Sequence, residues 1–170
     1  MDIMSFIATL LSSVLLSLAL PNEIVPYGLA ILGFFCLAPY FAALQKSKSK
    51  KHAALLGALF GSLSHALSSY WLYFFQDYAV WTIGATSVAY AFLHAILAVF
   101  LRHLSQNKHR FCSPALRPIL LAAAWTVWEW LKSIGFLGYP WGLLPYSVND
   151  VPFLIQISDS VFAFYASASS

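Results

Sequence analysis

Residues 125–146 read WTVWEWLKSIGFLGYPWGLLPY, and at this stretch a largely apolar sequence becomes chemically specific. The stretch contains four of the six tryptophans of the chain, a carboxylate at Glu129 and an amine at Lys132. A Gly-Tyr-Pro-Trp sequence follows at 138–141, where glycine permits a tight turn and proline removes a backbone donor. These residues predict a helix that ends at the bilayer surface and passes into an ordered interfacial loop.

The composition around this stretch predicts an integral membrane protein. Hydrophobic residues make up 61% of the 170 residues and charged residues 9%, with a mean hydropathy of +0.75. Ordinary soluble domains contain roughly 25% charged residues. The net charge of +3 comes from short clusters beside apolar runs, so we expect a membrane partner and no nucleic-acid partner. We expect one transmembrane domain over residues 1–170, with no soluble catalytic domain.

Apolar runs of about the length that crosses a bilayer, roughly 20 residues, recur along the chain. They lie at 3–20, 27–44, 53–75, 80–101 and 116–131, and a partial sixth lies at 151–165. A cleaved signal peptide is the alternative for the first run, which lacks the basic start and small-residue cleavage site of such peptides. Gly57 and Gly61 in the third run are spaced to form a close-packing face. The sequence predicts an all-α, polytopic transmembrane helix bundle of about five spans plus a partial sixth.

The distribution of lysine and arginine predicts the orientation, because these residues collect in cytoplasmic loops. With a cytoplasmic N-terminus, eight of the nine basic residues fall inside. These are Lys46, Lys48, Lys50, Lys51, Arg102, Lys108, Arg110 and Arg117. Only Lys132 falls on the other side, so residues 125–146 are expected to end at the outer face.

Aromatic residues also end the third run on the outer side, at Tyr70, Trp71 and Tyr73. One interpretation is an aromatic belt, since tryptophan and tyrosine favour the depth of the lipid headgroups. The other is that Tyr70 and Trp71 converge with residues 139–141 into a wall that holds a lipid chain or headgroup at the outer leaflet. The sequence leaves both interpretations open.

Four ionisable residues lie within or near predicted spans. Glu129 and Lys132 share one helix face, where they either neutralise each other or contact a substrate. His65 and His94 lie mid-span without a ligand partner at metal spacing, so we expect hydrogen-bonded neutral imidazoles and no metal site. No residue pattern indicates a cofactor.

In order along the chain, these motifs resemble the N-terminal membrane region of the apolipoprotein N-acyltransferase family. That family has a Tyr-Trp pair closing a span, a Trp-rich helix with Glu and then Arg three positions later, a Thr-Gly-Phe-Pro-Trp turn, a Gly-Tyr-Ser and a downstream Gln. The residues that match here are Tyr70-Trp71-Leu72-Tyr73, Trp125, Glu129, Lys132 in place of Arg, Leu137-Gly138-Tyr139-Pro140-Trp141, Pro145-Tyr146-Ser147 and Gln156. Lipid-contact or motif roles are expected for Tyr70, Trp71, Tyr73, Glu129, Lys132, Gly138, Tyr139, Pro140 and Trp141.

The resemblance implies a multi-pass protein of the bacterial inner membrane that takes part in lipoprotein biosynthesis. It implies transfer of an acyl chain from a membrane phospholipid to the N-terminal amine of a diacylglyceryl lipoprotein. In the family a nitrilase-like Glu-Lys-Cys triad carries out this chemistry through a thioester. Neither Cys36 nor Cys112 matches the family's nucleophile, and Glu129 and Lys132 match a different motif. Whether the chain is an enzyme therefore stays open, and its partner would be a nitrilase-like domain encoded separately.

The last residues, DSVFAFYASASS at 159–170, depart from the family's Gly-rich aromatic span. We expect a chain shortened by truncation, a frameshift or an engineered cut, and inactive alone. The alternative function is a small non-enzymatic membrane module, either half of a transporter or an interaction protein. A transporter half is disfavoured because it would show repeats or paired broken helices.

Overall fold

The computed structural model describes residues 2–106, 116–134, 138, 141–154 and 156, and this part of the chain is helical, with no strand. The predicted all-α class is therefore confirmed. Helix α1 spans Ile3–Ala19, α2 Ala30–Gly33, α3 Ala38–Lys46, α4 Lys50–Ser68, α5 Thr86–Gln106 and α6 Arg117–Ser133. A 3₁₀ helix spans Tyr70–Tyr78, a π-helical segment Val80–Ala85 leads into α5, and a second 3₁₀ helix spans Leu144–Val148.

Most of these bounds lie within a few residues of the predicted runs, and the third run differs most. Helix α4 ends at Ser68 instead of continuing to residue 75, because Ser69 leaves the helical conformation (φ −122°, ψ 23°). The aromatic residues that follow form the 3₁₀ helix, whose threefold repeat spreads bulky side chains to several sides. Tyr73 and Phe74 consequently point outward, with 67% and 69% of their surface exposed.

Among the described helices, the continuous helix Val80–Gln106 is long and apolar enough to cross a membrane by itself, at 27 residues. Shorter apolar helical segments lie at Ile3–Ala19, which is α1, and at Ala30–Lys46, which comprises α2 and α3. The bundle of five spans accordingly stays a prediction. The expected sixth span is represented by a helical turn at 152–154, and most of its remaining residues lie outside the described part of the chain.

Helix α1 turns its polar side chains inward and its apolar side chains outward. Ser5, Thr9, Ser12, Ser13 and Ser17 are buried. The exposed side chains are Ile3, Met4, Ile7, Leu11 and Val14. Small hydroxyl residues between helices and aliphatic residues outside are the pattern of a helix surrounded by lipid.

The hydroxyl of Ser12 joins α1 to α3, because it donates to the carbonyl of Cys36 and accepts the N–H of Tyr40 at 3.0 Å. At the start of α1, the N–H and hydroxyl of Ser5 bond to the Asp2 carboxylate and lower the pKa of that carboxyl. This carboxylate caps the helix, which explains why α1 begins directly after Asp2.

The centre of the bundle combines a glycine interface with stacked aromatic rings. Gly57 and Gly61 of α4 face the backbone carbonyls of His94 and Tyr90 in α5, leaving no space for a Cβ atom. This confirms the predicted close-packing face. Beside it, the rings of Tyr40 and Phe60 stack at 4.3 Å, and Trp125 packs edge-on to Phe60 at 5.9 Å. Helix α6 is thus anchored to the core chiefly through Trp125, which is 5% exposed.

Candidate functional site

The site lies at the end of the bundle where α4 and α6 finish. There the tryptophan of the 3₁₀ helix after α4 meets the tryptophan of the loop after α6. The rings of Trp71 and Trp141 are 6.0 Å apart, at an interplanar angle of 67°. This edge-to-face geometry is the favourable one for aromatic pairs. Two of the residues that the sequence singles out therefore share one contact, although they lie far apart along the chain.

The other aromatic residues of the 3₁₀ helix point elsewhere. The ring of Tyr70 packs edge-on to Phe74 at 6.3 Å, and Tyr73 contacts the same phenylalanine at 6.4 Å. Neither tyrosine has a described ring contact with Trp141. Gly138 is half-buried, whereas Tyr139 and Pro140 lie outside the described residues.

Glu129 and Lys132 direct their hydrogen bonds to the loop that follows α6 instead of to each other. The Oε1 atom of Glu129 accepts the N–H of Leu144 at 2.8 Å, and the Nζ atom of Lys132 donates to the carbonyl of Gly142 at 3.2 Å. Each side chain is therefore held by the backbone of the loop, and not principally by the mutual ion pair that was considered from the sequence. We call these two side chains and residues 142–144 the loop clamp.

Gly142 gives the loop clamp its turn. Its φ of +69° lies in the left-handed region, which glycine adopts without the steric cost of a Cβ atom. The turn presents the carbonyl of Gly142 to Lys132, directly after Trp141. The clamp therefore determines where the loop runs and, through it, where the Trp141 ring lies against Trp71.

A layer of histidine and tyrosine supports the clamp from α4 and α5. The ring of His65 stacks on Tyr90 at 4.3 Å, and its Nε2 atom lies 2.9 Å from the hydroxyl of Thr86. The Nδ1 atom of His94 lies 3.1 Å from the carbonyl of Tyr90, which can only accept, so this nitrogen carries the proton. The Nζ atom of Lys132 lies 5.8 Å from the centre of the Tyr90 ring. The layer therefore links the core of the bundle to the clamp.

The histidines do not form part of a metal-ligand group in the described residues, where no set of three or more His, Cys, Asp and Glu side chains comes together. Cys36 is fully buried, and its thiol lies 3.5 Å from the carbonyl of Gly33. Cys112 lies outside the described part of the chain. No described residue thus presents a thiol at the site.

A groove of about 1020 Å³ runs between α3 and α6 and ends beside the clamp. Its walls include Phe41 and Ala42 on α3 and Ala122 and Trp125 on α6, and Glu129 lies at its outer end. Sequence reasoning missed both the groove and the backbone partners of the clamp. A four-residue repeat of lining positions on each helix was the signal for the groove, but hydropathy alone does not distinguish these positions from lipid-facing ones.

Comparison with known proteins identifies relatives for nearly the whole chain. Residues 12–167 match the family described as "Apolipoprotein N-acyltransferase N-terminal domain". Apolipoprotein N-acyltransferase 2 of Treponema denticola is 42% identical over 156 residues, which cover 92% of this chain and 29% of the relative. Apolipoprotein N-acyltransferase 2 of Treponema pallidum is 40% identical over 148 residues, covering 87% of this chain and 26% of the relative.

The apolipoprotein N-acyltransferase of Borreliella burgdorferi is 34% identical over 157 residues, or 92% of this chain and 29% of the relative. The chain therefore spans less than a third of the length of these curated relatives. No solved structure matches it.

Proposed function

The chain belongs to the apolipoprotein N-acyltransferase family, and we propose that it is the membrane part of such an enzyme. In this role it holds a phospholipid while an acyl chain passes from that lipid to the N-terminal amine of a diacylglyceryl lipoprotein. We assign the thioester chemistry to a nitrilase-like Glu-Lys-Cys domain outside these 170 residues. The family match favours this function over a transporter half or an interaction protein.

The observation that carries the proposal is the contact between Trp71 and Trp141 above the loop clamp. Trp141 is 58% exposed, so one edge of its ring packs on Trp71 while the rest of its surface stays available to a lipid. Aromatic rings present a large apolar surface and lose little conformational entropy when they are held in place. In this proposal Trp71 and Trp141 form the lipid-holding wall, and Glu129 and Lys132 position it.

Cys36 is a poor candidate for the nucleophile that forms the thioester. Its side chain is fully buried, so an acyl group on its sulfur would have to occupy the packed interior. Glu129 and Lys132 are also unsuited to act as general base and oxyanion donor, because their polar atoms bond to Leu144 and Gly142. The described residues thus supply binding and positioning, not acyl chemistry.

We further propose that the chain is a multi-pass protein of the bacterial inner membrane and that its N-terminus is cytoplasmic. Its support comes from the end of the bundle opposite to the tryptophans. Arg102 Nε donates to the carbonyl of Ser47 at 3.3 Å, and Gln106 Nε2 donates to the carbonyl of Gln45 at 2.9 Å. These bonds bring the end of α5 to the α3–α4 junction and so group the lysines there with Arg102. A basic end indicates the cytoplasmic face, because lysine and arginine collect in cytoplasmic loops.

Reporter fusions test this orientation. Fusions at Lys48 and Lys108 are expected to report the cytoplasm, and a fusion at Asn149 the outside. A fusion at Lys48 that reports the outside would overturn the whole arrangement, because the basic residues dominate the orientation.

A chimera tests the function. This chain replaces the matching N-terminal region of the Treponema denticola relative, and acyl transfer from phospholipid to a diacylglyceryl peptide is measured. We expect transfer by the chimera and none by the 170-residue chain alone. A control chimera carries an unrelated multi-pass segment of equal length. An inserted, folded chimera that is as inactive as this control would contradict the proposal.

A further inference from the structure

The groove between α3 and α6 runs along most of both helices. On α6 its lining positions begin at Arg117 and end at Ser133, and on α3 they continue as far as Gln45. At a rise of 1.5 Å per residue, the α6 wall is about 24 Å long. The groove therefore extends from the basic end of the bundle to the loop clamp, whose residues Glu129, Leu143 and Leu144 line its outer end.

The groove is elongated and mostly apolar. Its volume of about 1020 Å³ extends along the whole α6 wall, and aliphatic and aromatic side chains make up most of its lining. An extended acyl chain fits an elongated apolar groove of this kind.

Polarity varies along the groove in the way that a phospholipid requires. Its middle is lined by Leu37, Phe41, Leu121 and Trp125, and the hydroxyl of Thr126 is satisfied by the carbonyl of Ala122 at 3.0 Å. The basic end is lined by Arg117, Gln45 and Ser105. A guanidinium group recognises phosphate through paired charge-assisted hydrogen bonds. The groove therefore combines a site for a phosphate with a channel for its acyl chains.

We propose that the groove binds one anionic phospholipid, with its phosphate at Arg117 and its acyl chains between α3 and α6. This lipid lies with its headgroup at the end of the bundle opposite to Trp71 and Trp141, so it is not the acyl donor. It acts as a structural lipid that fills the space between two helices. This proposal does not depend on acyl transfer. If the proposed orientation holds, the bound lipid lies in the cytoplasmic leaflet.

The test uses the 170-residue chain, purified in detergent with dioleoyl phosphatidylglycerol, and counts bound lipid by native mass spectrometry. Ala122→Trp fills the groove, whereas Ala123→Trp, the matched control, places the same ring on an exposed position of α6 that does not line the groove. We expect about one retained phosphatidylglycerol on the unmodified chain and on the control. Loss of an apolar binding channel should lower occupancy about tenfold or more in Ala122→Trp.

Ala42→Trp fills the groove from the opposite wall and must reproduce the loss, so that misfolding of a single variant does not decide the result. The proposal is overturned by equal retention in the Ala122 and Ala123 variants, or by an unmodified chain that retains no lipid. A lipid-free dimer that Ala122→Trp dissociates would overturn it as well, by placing a second copy in the groove.

The headgroup is tested by competition between phosphatidylglycerol and phosphatidylcholine with the same acyl chains. Loss of a charge-assisted contact at Arg117→Gln should weaken phosphatidylglycerol binding about tenfold. Lys46→Gln removes an exposed charge that does not line the groove and should change binding about twofold or less. Equal effects of the two substitutions would contradict a phosphate site at Arg117.

Discussion

The helix pair α4–α5 is packed in direct contact, whereas the helix pair α3–α6 is separated by a groove. We call them the closed pair and the open pair. Gly57 and Gly61 bring α4 into direct contact with the backbone of α5. Between α3 and α6, Ala38, Ala42 and Ala122 are also small, yet a groove separates the helices. The rings of Phe41 and Trp125, 6.1 Å apart, lie between them and hold them apart.

The comparison shows that small residues bring two helices together where they face the backbone of the partner helix, as Gly57 and Gly61 do, whereas Ala42 and Ala122 have no such effect beside Phe41 and Trp125. In lipid, association depends on packing and hydrogen bonds because apolar burial gives little advantage over contact with acyl chains. The closed pair gains direct backbone contact. The open pair, α3–α6, keeps an apolar groove between its helices, and the loop clamp lies at the outer end of α6.

The largest effect is expected in the closed pair. Gly57→Ala places a methyl group against the carbonyl of His94 and the Cβ of Ala98, and overpacking of this kind costs about 1–3 kcal/mol. Gly84→Ala is the matched control, because an added Cβ meets no atom there within 4 Å. Thermal unfolding of the purified proteins measures both. Equal unfolding temperatures would show that the glycine contact does not hold the closed pair together.

A local effect is expected at the loop clamp, at the outer end of α6. Glu129→Ala leaves the N–H of Leu144 without its acceptor, at a cost of about 1–3 kcal/mol. Hydrogen exchange of the Leu144 amide should accelerate by roughly 10- to 100-fold, since each 1.4 kcal/mol is a factor of ten. Glu129→Gln keeps an acceptor oxygen and should remain close to the unmodified chain. Fast exchange in both variants would indicate that the geometry of the clamp depends on charge rather than on this hydrogen bond.

Trp141 joins the loop clamp to the 3₁₀ helix that lies between α4 and α5. Trp141→Ala removes the edge-on contact with Trp71, worth about 0.5–1.5 kcal/mol beyond burial. If the ring forms a lipid-holding wall, acyl transfer by the chimera should fall several-fold further than the amount of folded protein. Trp141→Tyr is the matched variant, and we expect it to lose transfer as well, because a smaller ring does not reach Trp71 in the same way. Transfer that falls only with the amount of inserted protein, with Trp141→Tyr unchanged, would assign the residue to an aromatic belt.

The smallest expected effect concerns Cys36, which is fully buried in the core. Incubation of the purified chain with phospholipid should leave no hydroxylamine-labile acyl adduct, because the sulfur is buried in the packed interior. Mass spectrometry before and after hydroxylamine treatment measures this directly. An adduct on Cys36 would show that the groove opens as far as the core and would contradict the assignment of acyl chemistry to another domain.

Local patterns in the sequence predicted much of this architecture. Helix starts depend on neighbouring residues, and in the structure Asp2 and Pro39 mark two of them, although neither start was predicted from the sequence. The four-residue spacing of Gly57 and Gly61 predicted a contact face that the structure confirms. Prediction was poorer at Ser69, where the apolar run of the sequence continues but the α-helix ends. An aromatic run is equally apolar in an α-helix and in a 3₁₀ helix, so composition cannot locate the change.

The sequence by itself determined the helical class and the family, because these depend on periodicity and on the order of motifs along the chain, and its composition predicted a membrane protein. Only the tertiary structure decided that Glu129 and Lys132 bond to Leu144 and Gly142, and that α3 and α6 are separated by a groove. The physical reason is that a side chain three positions from an opposite charge can reach several acceptors and donors. Which of them it reaches depends on where the following loop returns, and that path is set by packing among distant parts of the chain.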